Sequence, residues 1–176
     1  KLFTPVPFTE RLEWQTDCNH ISDQYYQIVL RAADNFFPDS TGLATLKTIR
    51  IKVVGPPPEN LQAATDNGAV RLEWDTPYDC EVTKNNYFQK FSVWRKIAST
   101  TFSPDTCNPG LTGSPYQKIA YKTLTQDQGK YFYLDKTAER GKTYCYRVQA
   151  EFAKLTSTGN PFNIVESLAS KEACIV

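Results

Sequence analysis

The chain has 176 residues, a length for one or two domains. Its 20 Lys and Arg nearly cancel its 19 Asp and Glu, which excludes a strongly basic nucleic-acid binder and an acidic tail. With 40% hydrophobic and 13% aromatic residues it is no disordered chain, and no apolar run is long enough to span a membrane. It holds no Met and begins at Lys1, so it reads as a fragment of a longer gene product.

In chain order, Arg11 to Gln15, Tyr26 to Ala32 and Thr48 to Val53 alternate or are β-branched, and each is expected to be a strand. In the last, Ile49, Ile51 and Val53 share one face and Arg50 and Lys52 the other. Three strands make one sheet, which has no partner for its apolar face. Residues 1–55 are therefore expected to be the C-terminal part of a module whose opening strands lie elsewhere; a small independent sheet docked on the second domain is the alternative. Gly55-Pro56-Pro57-Pro58 then reads as a stiff linker, because prolines donate nothing to a ladder.

Residues 56–176 carry about seven further strand candidates: Leu61–Ala64, Ala69–Asp75, Phe88–Ile97, Tyr116–Thr123, Tyr131–Asp135, Thr143–Phe152 and Ile164–Ala173. Val70, Leu72 and Trp74 share a face, as do Tyr144, Tyr146, Val148 and Ala150. No stretch keeps a helical period. The fold class is therefore all-β, an antiparallel β-sandwich.

The order Trp74, Phe91-Ser92-Val93-Trp94-Arg95, then Gly141 to Val148 resembles a fibronectin type III domain. The resemblance implies that Trp74 is the core tryptophan of the second strand. It also implies that Tyr144, three residues after Gly141, forms a tyrosine corner with its hydroxyl bonded to upstream backbone. The segment Leu30 to Asn35 with Thr48 to Pro56 resembles the end of an immunoglobulin-like or cadherin-like module. The pair of modules is similar to C-terminal regions of Bacteroidetes surface proteins associated with gliding and type IX secretion. That similarity implies export to the cell surface or exterior, tandem modules and no catalysis. Residues 56–176 exceed the usual module of roughly 100 residues, and the excess falls at about 98–115.

There are five cysteines, Cys18, Cys80, Cys107, Cys145 and Cys174, with no C-x-x-C pair. One left over and two bridges allow 15 schemes. In the resembled fold the sixth and seventh strands are neighbours, so Cys145 and Cys174 are expected to pair. Cys80 and Cys107 meet only if residues 98–106 run back along the third strand. Nine extended residues reach about 30 Å, just enough. This leaves Cys18 over, free or paired outside the chain.

Candidate chemistry is sparse. The sole histidine, His20, lies two residues from Cys18, but neither sits in a nucleophile motif. Asp34, Asn35 and Asp39 supply only part of the six to eight oxygens that calcium needs. Asp39-Ser40-Thr41 matches a short O-glycosylation signal. Trp94 is out of phase with Phe91 and Val93, which makes it the candidate binding surface; Tyr131 and Tyr133 are considered with it. No cofactor, metal or nucleic acid is expected. The reading is a non-catalytic spacer or adhesion module whose partners are its neighbouring modules and a surface protein or glycan. The alternatives are a carbohydrate-binding accessory module of a secreted glycan-degrading enzyme and a calcium-dependent adhesion module.

Overall fold

The computed structural model describes residues 11–33, 43–82, 87–97, 100–103, 105 and 108–176, with the side chains of 122 and 123 excepted. Asp34, Asn35, Asp39, Ser40, Thr41 and Cys107 therefore lie outside the described residues, and with them the calcium and glycosylation readings.

The fold is an antiparallel β-sandwich preceded by a hairpin. The hairpin joins β1 (Tyr26–Ala33) to β2 (Ala44–Ile51) over eight pairs, from Tyr26 opposite Ile51 to Ala33 opposite Ala44. One sheet of the sandwich runs β3 (Gln62–Asp66), β4 (Ala69–Asp75), β8 (Lys130–Asp135) and the short β7 (Gln126–Asp127). The other runs β10 (Pro161–Glu166), β9 (Tyr144–Leu155), β5 (Phe88–Ile97) and β6 (Gln117–Thr123). A last strand, β11 (Ala173–Ile175), also pairs with β9.

Local chemistry explains the elements. Strands β3 and β4 are joined by Asn67-Gly68, with φ of 47° and 87°, the left-handed pair that a two-residue hairpin turn requires. Strand β4 alternates as its sequence does: Val70, Leu72 and Trp74 are buried and their neighbours are partly exposed. From the opposite sheet Phe91, Val93, Tyr146 and Val148 meet them, all fully buried. Trp74 lies edge-on to Phe91 at 5.3 Å and stacked near Tyr131 at 6.0 Å, so rings fill the space between the sheets.

The segment from Ile164 to Ala173 is not one strand. Between β10 and β11, Ser167 and Ser170 turn their hydroxyls to β9 and accept from the Ala150 and Val148 amides at 2.9 Å each. Side-chain oxygens thus satisfy buried donors where the backbone ladder breaks.

Four expectations are corrected here. Residues 11–15 form no strand, so 11–55 holds a two-stranded ribbon and not a three-stranded sheet. The triproline is not a free linker. Gly55 and Pro58 are buried, the Leu168 amide donates to Gly55 O (3.0 Å), and the Tyr78 hydroxyl donates to Pro56 O (2.6 Å). An extended proline run lacks donors, yet its carbonyls still accept. The Tyr144 ring is buried, but its hydroxyl bonds nothing among the described residues; the tyrosine hydroxyl held nearby is that of Tyr146, on Asp135 Oδ2 at 3.0 Å. The fourth is the strand Ile164–Ala173, broken between β10 and β11; its neighbour β9 is buried on both faces along ten residues, because its outer face is covered as well.

Candidate functional site

That cover is built by the insertion. On the outer face of β5 and β9, Trp94, Leu111 and Tyr116 form a second apolar cluster, with Phe102 and Ala169 against it. Gln149 Nε2 donates to Pro109 O and Ser167 O, both at 2.8 Å. Arg147 donates to the Tyr116 hydroxyl (3.0 Å) and Ser170 O (2.6 Å), and Tyr116 in turn donates to Glu172. Lys96 pairs with Glu172 at 3.1 Å and Lys118 with Glu166 at 3.3 Å. Burial opposes ionisation of Glu172, yet the Tyr116 and Lys96 bonds outweigh it and hold its pKa below the ordinary value.

Trp94 is therefore no binding platform. It is 4% exposed, its Nε1–H donates to Ser92 Oγ at 3.0 Å, and the Lys118 ammonium lies 4.7 Å over its ring. Its phase against Phe91 does set it on the outer face, but the insertion closes over that face. Tyr131 is 1% exposed and Tyr133 only partly buried, so neither forms an open aromatic surface with it.

The exposed elements converge where the hairpin meets the sandwich, with Tyr25 and Lys52 beside Pro109 and Gly110 of the insertion. Asp17 caps a turn at Cys18–His20: its Oδ1 accepts from the Asn19 amide at 2.8 Å, and its own amide donates to His20 Nδ1 at 3.0 Å. Beyond the turn Ile21, 5% exposed, enters the sandwich core. The Ser22 amide donates to Val53 O at 3.2 Å, closing the hairpin base. On the outside, Trp14 lies edge-on to Tyr26 at 4.7 Å and to His20 at 5.2 Å.

The covalent anchor is a disulfide between Cys18 and Cys80, with Cα atoms 5.5 Å apart. This overturns the expected Cys80–Cys107 pairing and the leftover Cys18. The reason is the docking of Ile21 and the proline run. Together they carry the Cys18 turn to the loop after β4. An open pocket of about 300 Å³ lies beside this bridge, lined by Ile21, Val53, Val54, Pro56 and Leu168. The second disulfide joins Cys145 and Cys174, which face each other in the β9–β11 register. With Cys18 oxidised, the Cys18–His20 proximity offers no thiol nucleophile.

Gly55 sets the closeness of the contact. A Cβ there would stand 2.3 Å from Phe152 Cε2 and 3.0 Å from the Tyr78 hydroxyl. Phe152 belongs to a packed ring cluster with Tyr78 and Phe88. We expect Gly55→Ala to destabilise the chain by about 1–3 kcal/mol through overpacking, read as a lower urea midpoint. An unchanged midpoint would mean that the proline run does not pack here as described.

No protein-family model matches the sequence, and no curated protein matches it. Among solved structures the chain is similar to an Fn3-like protein from Clostridium thermocellum, with a TM-score of 0.41 and 22% identity, covering 70% of this chain and 94% of that one. It is also similar to pectate lyase Pel3 from Pectobacterium carotovorum, with a TM-score of 0.37 and 16% identity, covering 68% of this chain and 26% of the lyase. The chain thus spans about a quarter of that enzyme's length. These likenesses concern the fold.

Proposed function

We propose that the chain is a non-catalytic structural module of a larger extracellular protein, a spacer that holds neighbouring modules at its two poles. The observation that carries this reading is the placement of the two disulfides, one where the hairpin joins the sandwich and one at the last strand. Cys18–Cys80 anchors the hairpin at the pole where Gly55 meets Phe152, near the end of β9. Cys145–Cys174 ties the last strand to the start of β9. The chain is therefore locked where it enters the sandwich and where it leaves. Oxidised cysteines suit an exported protein, and among the described residues no helix is long and apolar enough to cross a membrane. The Bacteroidetes surface setting is the one that the sequence resemblance implies.

Pulling the chain by its ends in a single-molecule experiment tests the reading. Both bridges short-circuit the force path, removing spans of 62 and 29 residues. Reduction should therefore lengthen the fully extended chain by roughly 300 Å, at about 3.3–3.6 Å per residue. An oxidised chain that already reaches its whole contour length, or whose hairpin peels away before the sandwich opens, would contradict it. The carbohydrate-binding alternative no longer has Trp94 and turns to Trp14, which is 37% exposed; glycan binding lost on Trp14→Ala would favour it.

A further inference from the structure

Among the described strands, the two of the hairpin are exposed along nearly their whole length. Strands β1 and β2 pair only with each other among the described residues, which leaves the outer edge of each unpaired. Side-chain alternation puts Tyr26, Ile28, Leu30, Ile49 and Ile51 on one face. Leu30 is 49% and Ile49 41% exposed there, and on the other face Val29 is 58% and Leu46 65% exposed. A two-stranded ribbon of this kind is marginal in water without a third strand or a cover.

Its charge is one-sided. Residues 26–33 and 44–52 contain Arg31, Lys47, Arg50 and Lys52 and no Asp or Glu. None of the four makes an ion pair among the described residues. Three of them lie on or just beyond β2. Lys47 shares the face of Ile49 and Ile51, and Arg50 and Lys52 lie on the other.

We propose that the free edge of β2 is a docking site for an extended strand of another protein in which apolar and acidic side chains alternate. Backbone pairing would complete the ladder. Acidic side chains would stand opposite Arg50 and Lys52, with the apolar ones beside Ile49 and Ile51, because an opposite charge stabilises a cross-strand pair and a like charge opposes it. The same rule disfavours a second copy, since two β2 edges would set cations against cations; lysine on an edge strand is a known guard against self-pairing. The isoleucines and leucines of the ribbon favour a protein strand over a polyanionic glycan or nucleic acid, which would leave them uncovered. The inference goes beyond the spacer reading, and the pulling experiment does not depend on it.

The test is a titration of the isotope-labelled full chain, followed by amide NMR, with two synthetic octapeptides, one alternating Val and Glu and one alternating Val and Lys. The Val-Glu peptide should shift the β2 amides and leave those of β4 and β8 in place. Binding should weaken in high salt. Reversing two cross-strand pairs with Arg50→Glu and Lys52→Glu should weaken Val-Glu binding by about tenfold and transfer the preference to the Val-Lys peptide. Both positions are exposed, so unchanged sandwich resonances certify the fold of the double variant. No shift at millimolar peptide, equal shifts with both peptides, shifts centred elsewhere, or self-association through β2 in the free chain would each overturn the proposal.

Discussion

Replacing Cys18 and Cys80 together by serine should cost about 4 kcal/mol. The bridge spans 62 residues, and closing a loop of that size removes that much chain entropy from the unfolded ensemble. A loss of this size is a large share of the roughly 5–15 kcal/mol that separates folded from unfolded domains. At this chain length it should appear as a melting temperature lower by roughly 8–16 °C. The Cys145–Cys174 bridge closes a 29-residue span, so its removal should cost less, about 3.5 kcal/mol. The order of the two is the informative part. In the scheme expected from the sequence, both bridges close spans of about 30 residues and their removal would cost the same. Proteolytic mapping of the oxidised chain gives the independent check: a linked peptide holding Cys18 and Cys80 is expected, and one holding Cys80 and Cys107 would contradict the anchor.

Arg95→Met should destabilise the sandwich by about 3–5 kcal/mol at neutral pH, the penalty for leaving a buried charge without its partner. Asp135 ends β8 and is 1% exposed, and Arg95 on β5 reaches its Oδ2 from the other sheet at 2.8 Å. The Tyr146 hydroxyl shares that oxygen at 3.0 Å. Thr137 serves Oδ1 with its amide at 2.9 Å and its hydroxyl at 2.7 Å. Burial alone would raise the pKa of Asp135, but these bonds outweigh it and bring it below the ordinary 3.8. The ionised carboxylate is thus favoured by folding. Its contribution is complete above pH 3.8 and is lost as the pH falls through the lowered folded value. The gap between wild type and Arg95→Met should therefore narrow as the medium is acidified below that pH. Urea titrations at pH 7 and in that acid range check both claims. A loss under about 1 kcal/mol at pH 7 would mean that the pair does not tie the sheets together.

The sandwich was legible in the sequence because its strands obey one-sided alternation. Ala69–Asp75 and Phe88–Ile97 coincide with β4 and β5 to the residue; in β4 the apolar Val70, Leu72 and Trp74 at every second position leave little choice of period. The same logic puts Trp94 on the right face but leaves it open there. Alternation tells which side of the sheet a residue faces and not what lies on that side, and the cover over Trp94 comes from Leu111 and Tyr116, far along the chain. Gly55 to Pro58 misled for a related reason. Prolines announce an extended segment without ladder donors, and only the tertiary contacts of Gly55 with Phe152 and of Tyr78 with Pro56 make it part of the fold. Cys18 is left over once Cys80 is matched to Cys107, and a contact between residues 62 apart leaves no local trace in the sequence. Cys145 and Cys174 were within reach because the resembled fold sets their strands side by side.

Everything functional in this account depends on the hairpin being fixed to the sandwich by the Cys18–Cys80 bridge, Ile21 and the packed proline run. Residual dipolar couplings measured on the oxidised full chain test this most directly. The amides of β1 and β2 should fit the same alignment tensor as those of β4, β5 and β9, with undiminished amplitude. Hairpin couplings that need a tensor of their own, or that average towards zero while the sandwich values stay large, would contradict it.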